Sequence, residues 1–192
     1  PDEKVLIVTD SATDAAIAQT IMAAATRLGI EASAITMRPR ALPGDEPPAP
    51  VVAAMLSSDV IICPVSRSLF HTSARTRACR RGARFISMPG ASMSVLASKA
   101  MLVDFAKQER VLKKLVERLT GGKRITLTNP SGTDLKFSVF GRRGHGVSGM
   151  CKRRGEATGA PDIEAYIAPL EESTNGTLVI DGSTSVTGLV KQ

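Results

Sequence analysis

The chain has 192 residues, 43% hydrophobic and 22% charged, proportions that exclude a disordered or fibrous protein and predict one domain or one and a fraction. Trp is absent and aromatics reach only 3%, so the core has to be built from Ala, Val, Ile, Leu and Met. A net charge of +7 permits phosphate or acidic partners without demanding them.

Lys4–Thr9 is a short apolar run ending at Asp10, as in a strand buried on both faces of a parallel sheet. Ile17, Ile21, Ala24, Ala25 and Leu28 then recur at helical spacing, with Gly29 placed to end the helix. Ile30–Met37 reads as a second strand, and the proline-rich stretch Arg38–Pro50 as a loop. The alternation continues with a short helix through Val51, Val52, Met55 and Leu56 and a strand over Val60–Cys63. Next come a helix over Leu69–Arg81, closed by Gly82, and a strand over Ala83–Met88. Strands and helices in this order predict a three-layer α/β domain over residues 1–120, with a mostly parallel, Rossmann-like sheet. Leu6, Ile7, Val8, Val60, Ile61, Ile62, Phe85 and Ile86 are its expected core.

A longer helical stripe follows through Leu102, Phe105, Leu112, Leu115, Val116 and Leu119, ended by Gly121-Gly122. Ile125–Thr128 and Leu135–Phe140 then alternate with period two around Asn129-Pro-Ser-Gly-Thr-Asp134, the pattern of a hairpin. Residues 141–161 read as loop, and Tyr166–Ala168 and Thr177–Ile180 as further strands. Residues 121–192 thus predict the incomplete start of a β-rich second domain, too short for a comfortable independent core.

No apolar run reaches the ~18 residues that span a bilayer, and no signal peptide opens the chain. A first residue of Pro rather than Met predicts a product processed or cut from something longer. Cys63, Cys79 and Cys151 supply neither a disulfide framework nor a Cys-x-x-Cys knuckle, which predicts a cytoplasmic protein with incidental thiols. The loop Asp10–Asp14 sits where a doubly wound sheet binds ligands, but without a glycine fingerprint Asp10 or Ser11 reads as a helix cap. Arg77, Arg80, Arg81 and Arg84 share a helical spacing and predict a solvated face; no nucleic-acid module accompanies them, so no nucleic-acid partner is expected. His71 and His145 lack the spacing of a zinc site. Glu164, before an apolar strand and after a glycine-rich loop, is a candidate metal ligand, with a surface carboxylate as the alternative.

Four segments together resemble the aminopeptidase T family of leucyl-aminopeptidase-like metalloproteins. They are Glu46-Pro-Pro-Ala-Pro50; Ser68–Arg75 with Gly82-Ala83 and Met88-Pro-Gly90; Asn129–Phe137; and Glu164–Pro169 with Asn175-Gly176 and Asp181-Gly182. The resemblance implies a two-metal hydrolase that removes N-terminal residues from peptides, using zinc, cobalt or manganese, with Glu164 as one metal ligand. The family's other ligands fall beyond Gln192, so this chain is expected to be an inactive fragment that binds no metal stoichiometrically by itself. The same broad superfamily resembles Fe(II)-dependent dioxygenases that open dihydroxypyridine rings; those relatives usually lack a Glu at this position, which favours the peptidase reading. A non-catalytic α/β module for ligand binding or dimerisation is a third reading. The expected partners are a peptide or small-molecule substrate and, in a homodimer, a second copy.

Overall fold

The apolar run after Lys4 becomes β1 (Val5–Asp10) in a computed structural model that describes residues 3–184 and 188–189. Residues 1–2 and 190–192, the outer ends of the two expected domains, lie outside the described residues. Asp14 caps α1 (Ala15–Arg27), its carboxylate accepting from the Ala16 N–H at 2.9 Å, and Gly29 at φ +70° turns the chain away. β2 (Ala32–Met37), α2 (Ala49–Leu56), β3 (Val60–Val65), α3 (Ser73–Arg80) and β4 (Arg84–Pro89) follow in alternation. α3 is shorter than the predicted Leu69–Arg81 because the Thr72 hydroxyl caps it, accepting from the Arg75 N–H at 3.2 Å. Arg84 therefore leaves the expected helical face and opens β4.

The protein is mixed α/β, with a five-stranded parallel sheet ordered β2-β1-β3-β4-β8, where β8 is Ala157–Gly159. Residues 141–161, expected to be loop, hold both β8 and β7 (His145–Val147). Strands of three residues are too short for an alternating pattern to show, and β8 exists through its pairing with Phe85–Ser87.

Side chains alternate across the sheet. Leu6, Val8, Ile61, Cys63, Val65 and Phe85 pack with Val51 and Met55 of α2 and Ala74 and Ala78 of α3 into the main core. The alternate residues of β1, Val5, Ile7 and Thr9, face the side that carries α1, whose Ile17 and Ala18 are buried. Val60, Ile62 and Ile86, expected in the core, are only half-buried. α1 packs along β1 and β2 and leaves an apolar hollow of about 280 Å³ on the β3 side, lined by Val5, Ile21, Leu28, Val60 and Ile62.

The expected helical stripe is α5 (Phe105–Gly121), which holds all of its residues but Leu102; α4 (Met93–Leu96) and a 3-10 turn at Lys99–Leu102 precede it. Polar caps start the two helices. The Ser92 hydroxyl accepts from the Val95 N–H at 3.2 Å, and the Asp104 carboxylate from the Lys107 N–H at 2.9 Å.

β5 (Arg124–Thr128) and β6 (Asp134–Ser138) form the expected hairpin, with Leu127 opposite Leu135. β10 (Asn175–Thr177) adds to β6 antiparallel, where a Cβ on Gly176, at φ +117°, would overlap the Asp134 carbonyl. β7 pairs with β9 (Glu164–Tyr166), and β11 (Ser183–Thr184) pairs with β12 (Gly188–Leu189). The chain divides into two compact units. One takes residues up to Glu109 together with Val147–Ile163, the other Arg110–Gly146 together with the residues from Glu164 onward. The expected single boundary near residue 120 thus differs from the observed division, because Val147–Ile163 returns to supply β8.

Candidate functional site

The sheet order reverses direction between β1 and β3, since the chain runs from β1 outward to β2 and then crosses to β3. In an open α/β sheet that reversal opens a crevice at the carboxyl ends of the strands. Asp10, the last residue of β1, is buried there. One carboxylate oxygen accepts from the Ser66 N–H at 2.7 Å and its hydroxyl at 2.8 Å; the other accepts from the Thr13 hydroxyl at 2.9 Å and the Ala12 N–H at 3.1 Å. Burial pushes this carboxyl up, but the bonds from Ser66, Thr13 and Ala12 outweigh it and hold the pKa below the usual aspartate value. Asp10 is a clasp between the loops after β1 and β3. The cap of α1 belongs to Asp14, which corrects the expectation for Asp10 and Ser11.

Further bonds fix the rest of this edge. The Gly44 N–H donates to the Ser68 carbonyl at 2.9 Å and pins the proline-rich loop, while the Ser68 hydroxyl accepts from the Phe70 N–H at 3.1 Å. Glu46 reaches the N-terminus of α3, accepting from the N–H groups of Ser73 at 2.5 Å and Ala74 at 3.1 Å. Burial raises its pKa, but the bonds from Ser73 and Ala74 with the Arg77 charge together outweigh it and bring it below the ordinary glutamate value. His71 is exposed and meets the Phe70 ring edge-on at 5.3 Å, and the Arg75 guanidinium lies 5.0 Å over the same ring. Arg77, Arg80 and Arg81 are exposed, whereas Arg84 is half-buried and donates to Glu3 and to the Cys151 carbonyl. Burial pushes the thiols of Cys63, Cys79 and Cys151 up, which disfavours the nucleophilic thiolate at all three.

The second unit holds a different constellation. Gly144 and Gly146 flank His145, and a Cβ on either would crowd α5. At Gly144 it would lie 2.9 Å from the Val116 carbonyl and the Leu119 Cβ; at Gly146, 3.0 Å from Leu112 and Val116. The two glycines let this strand lie directly on the helix. His145 stacks on Tyr166, with ring centroids 5.4 Å apart and planes at 23°. Glu164 and Tyr166 stand two positions apart on β9 and so share a face of the strand. Glu164, His145 and Tyr166 are all exposed. The Gly-His-Gly sequence was the available signal for this pair, and reading the histidines by metal-ligand spacing alone misses it. Among the described residues no group of three or more His, Cys, Asp or Glu side chains is placed to hold a metal ion.

The fold is shared with a protein of known structure, 2,5-dihydroxypyridine dioxygenase from Pseudomonas putida KT2440. The TM-score is 0.73 at 17% sequence identity, over 92% of this chain and 53% of that one. A family model described as NicX: 2,5-dihydroxypyridine 5,6-dioxygenase matches residues 1–187, and the chain belongs to that family. The chain spans about half the length of the structure it matches. No curated protein matches it.

The aminopeptidase T resemblance is thereby overturned, and with it the hydrolase and metalloprotease reading. Four residues of the segments that carried it serve the scaffold. Glu46 caps α3, Asn129 accepts from the Thr133 N–H at 2.9 Å to close the hairpin loop, Gly176 lets β10 approach β6, and Asp181 accepts from the Ser131 hydroxyl at 2.7 Å. Motifs that hold a fold together say little about which reaction it hosts. The inference from a Glu at position 164 toward the peptidase branch fails with them. Among the described residues, no helix is long and apolar enough to cross a membrane.

Proposed function

We propose that this chain serves a dioxygenase that opens a dihydroxylated pyridine ring, a small-molecule substrate. The observation that carries the reading is the family match across residues 1–187. The structural relative, a 2,5-dihydroxypyridine dioxygenase, agrees with it. The parallel sheet, with its reversal between β1 and β3, is read as Rossmann-like in the broad sense of a doubly wound sheet.

For the metal, Fe(II) suits ring cleavage better than zinc, cobalt or manganese. Glu164, exposed at the start of β9, is the proposed oxygen donor. The described residues do not complete a metal site, and Glu164 would be one ligand among several. His145 and Tyr166 beside it offer an imidazole and a phenol suited to orienting a hydroxylated ring.

The test uses the protein that carries these residues as the cell makes it, supplied with Fe(II) and air. Loss of the ring absorbance of 2,5-dihydroxypyridine, with no release from an amino-acid anilide, is the expected result. Hydrolysis of the anilide with the ring left intact would overturn the reading.

A further inference from the structure

The side of the sheet that carries α1 is incompletely covered at its outer edge as well as under β3. Between α1 and the edge strand β2 lies a groove of about 560 Å³, formed entirely by residues 9–36. That volume is within the range of small-molecule sites. Thr9 stands at its floor, 4% exposed, and its hydroxyl has no hydrogen-bond partner. Thr36 is the ladder neighbour of Thr9 across the parallel pair, yet its hydroxyl does not satisfy that of Thr9. A buried hydroxyl left unpaired is costly and is normally satisfied.

The lining defines what would satisfy it. Thr13 and Thr26 already donate, to Asp10 and to the Met22 carbonyl, and both oxygens of Asp10 are taken. The hydroxyls of Thr9, Ser11 and Thr36 and the amide of Gln19 are left to face a ligand. Ala18 and Met22 of α1 stand on one side of the slot and Ala34 of β2 on the other, giving apolar walls, one bearing a thioether suited to a ring. No Lys, Arg or His lines the groove, and its single carboxylate is fully bonded, so nothing there recruits an ion of either sign.

We propose that this groove binds a neutral, partly apolar small molecule bearing hydroxyl or carbonyl groups, seated between α1 and β2 with a polar substituent bonded to the Thr9 hydroxyl. The proposal rests on residues 9–36 alone and does not depend on the dioxygenase reading. It is tested on the 192-residue chain by methyl NMR titration with 2-pyridone and with hydroquinone, with benzoate as the charged control. The neutral probes should shift the Met22 and Ala34 methyl signals saturably, and benzoate should not. Thr9→Val, which removes the hydroxyl at nearly constant shape, should weaken binding at least tenfold without lowering Tm. Ala34→Leu, on the exposed edge strand, should fill the slot and abolish binding, and it decides the matter if Thr9→Val does not fold. Absence of a saturable shift with either neutral probe, equal binding by benzoate, or unchanged affinity in the folded variants would overturn the proposal.

Discussion

Replacing Asp10 by Asn tests the clasp at the reversal of the sheet, because the change is nearly isosteric and removes only charge and accepting capacity. The carboxylate receives four hydrogen bonds, two on each oxygen. An asparagine presents one accepting oxygen and one NH2, so whichever way it turns, two donors lose their acceptor and face other donors. Hydrogen bonds to a charged group are worth about 1.5–3 kcal/mol each, so losing two costs at least about 3 kcal/mol. With a urea m-value of about 2 kcal/mol/M, the unfolding midpoint should fall by about 1.5 M. The pH dependence gives a second readout. Because the folded-state pKa of Asp10 is depressed, its stabilisation is complete above the unfolded aspartate value of about 4. It is lost as pH falls through the lower folded-state value. The gap between wild type and Asp10→Asn should therefore be widest at neutral pH and shrink below pH ~4. A loss under ~1 kcal/mol at pH 7, or a gap unchanged by acid, would refute the reasoning.

Other substitutions probe the remaining parts. Glu46→Ala removes the acceptor for the first N–H groups of α3 and should cost about 1–2 kcal/mol in urea unfolding. Phe85→Ala empties a fully buried site in the main core and should cost about 3–5 kcal/mol. Gly144→Ala forces a Cβ against the α5 backbone and should lower Tm while disturbing the His145 and Tyr166 ring resonances together. In thiol labelling, Cys63 should react only on unfolding, since it is buried in the sheet and its thiol is pushed up, while the half-buried Cys151 should react first in the native protein.

The parallel sheet was legible because β1, β3 and β4 are continuous apolar runs set off by Gly29, the proline-rich loop and Gly82, signals that act within a few residues. β7 and β8 were not, since three-residue strands exist only through partners distant in sequence. The half-exposure of Ile62 and Ile86 was hidden for a similar reason. Their apolar character predicts burial, but which face a single helix covers is a property of the assembled sheet. Glu164 was visible as a carboxylate at a strand start, whereas its neighbours His145 and Tyr166 meet only after β7 and β9 pair. The reaction class was misread because Glu46, Asn129, Gly176 and Asp181 are caps and turn residues, which follow the fold and not the chemistry.

The fate of molecular oxygen tests the proposed function most directly. The protein carrying this chain, loaded with Fe(II), is given 2,5-dihydroxypyridine under 18O2 and the ring-opened product is weighed by mass spectrometry. A dioxygenase places both atoms of one O2 in the product, so incorporation of two 18O atoms with one O2 consumed per ring is predicted. An unchanged ring, or a product whose added oxygen comes only from water, would contradict the account.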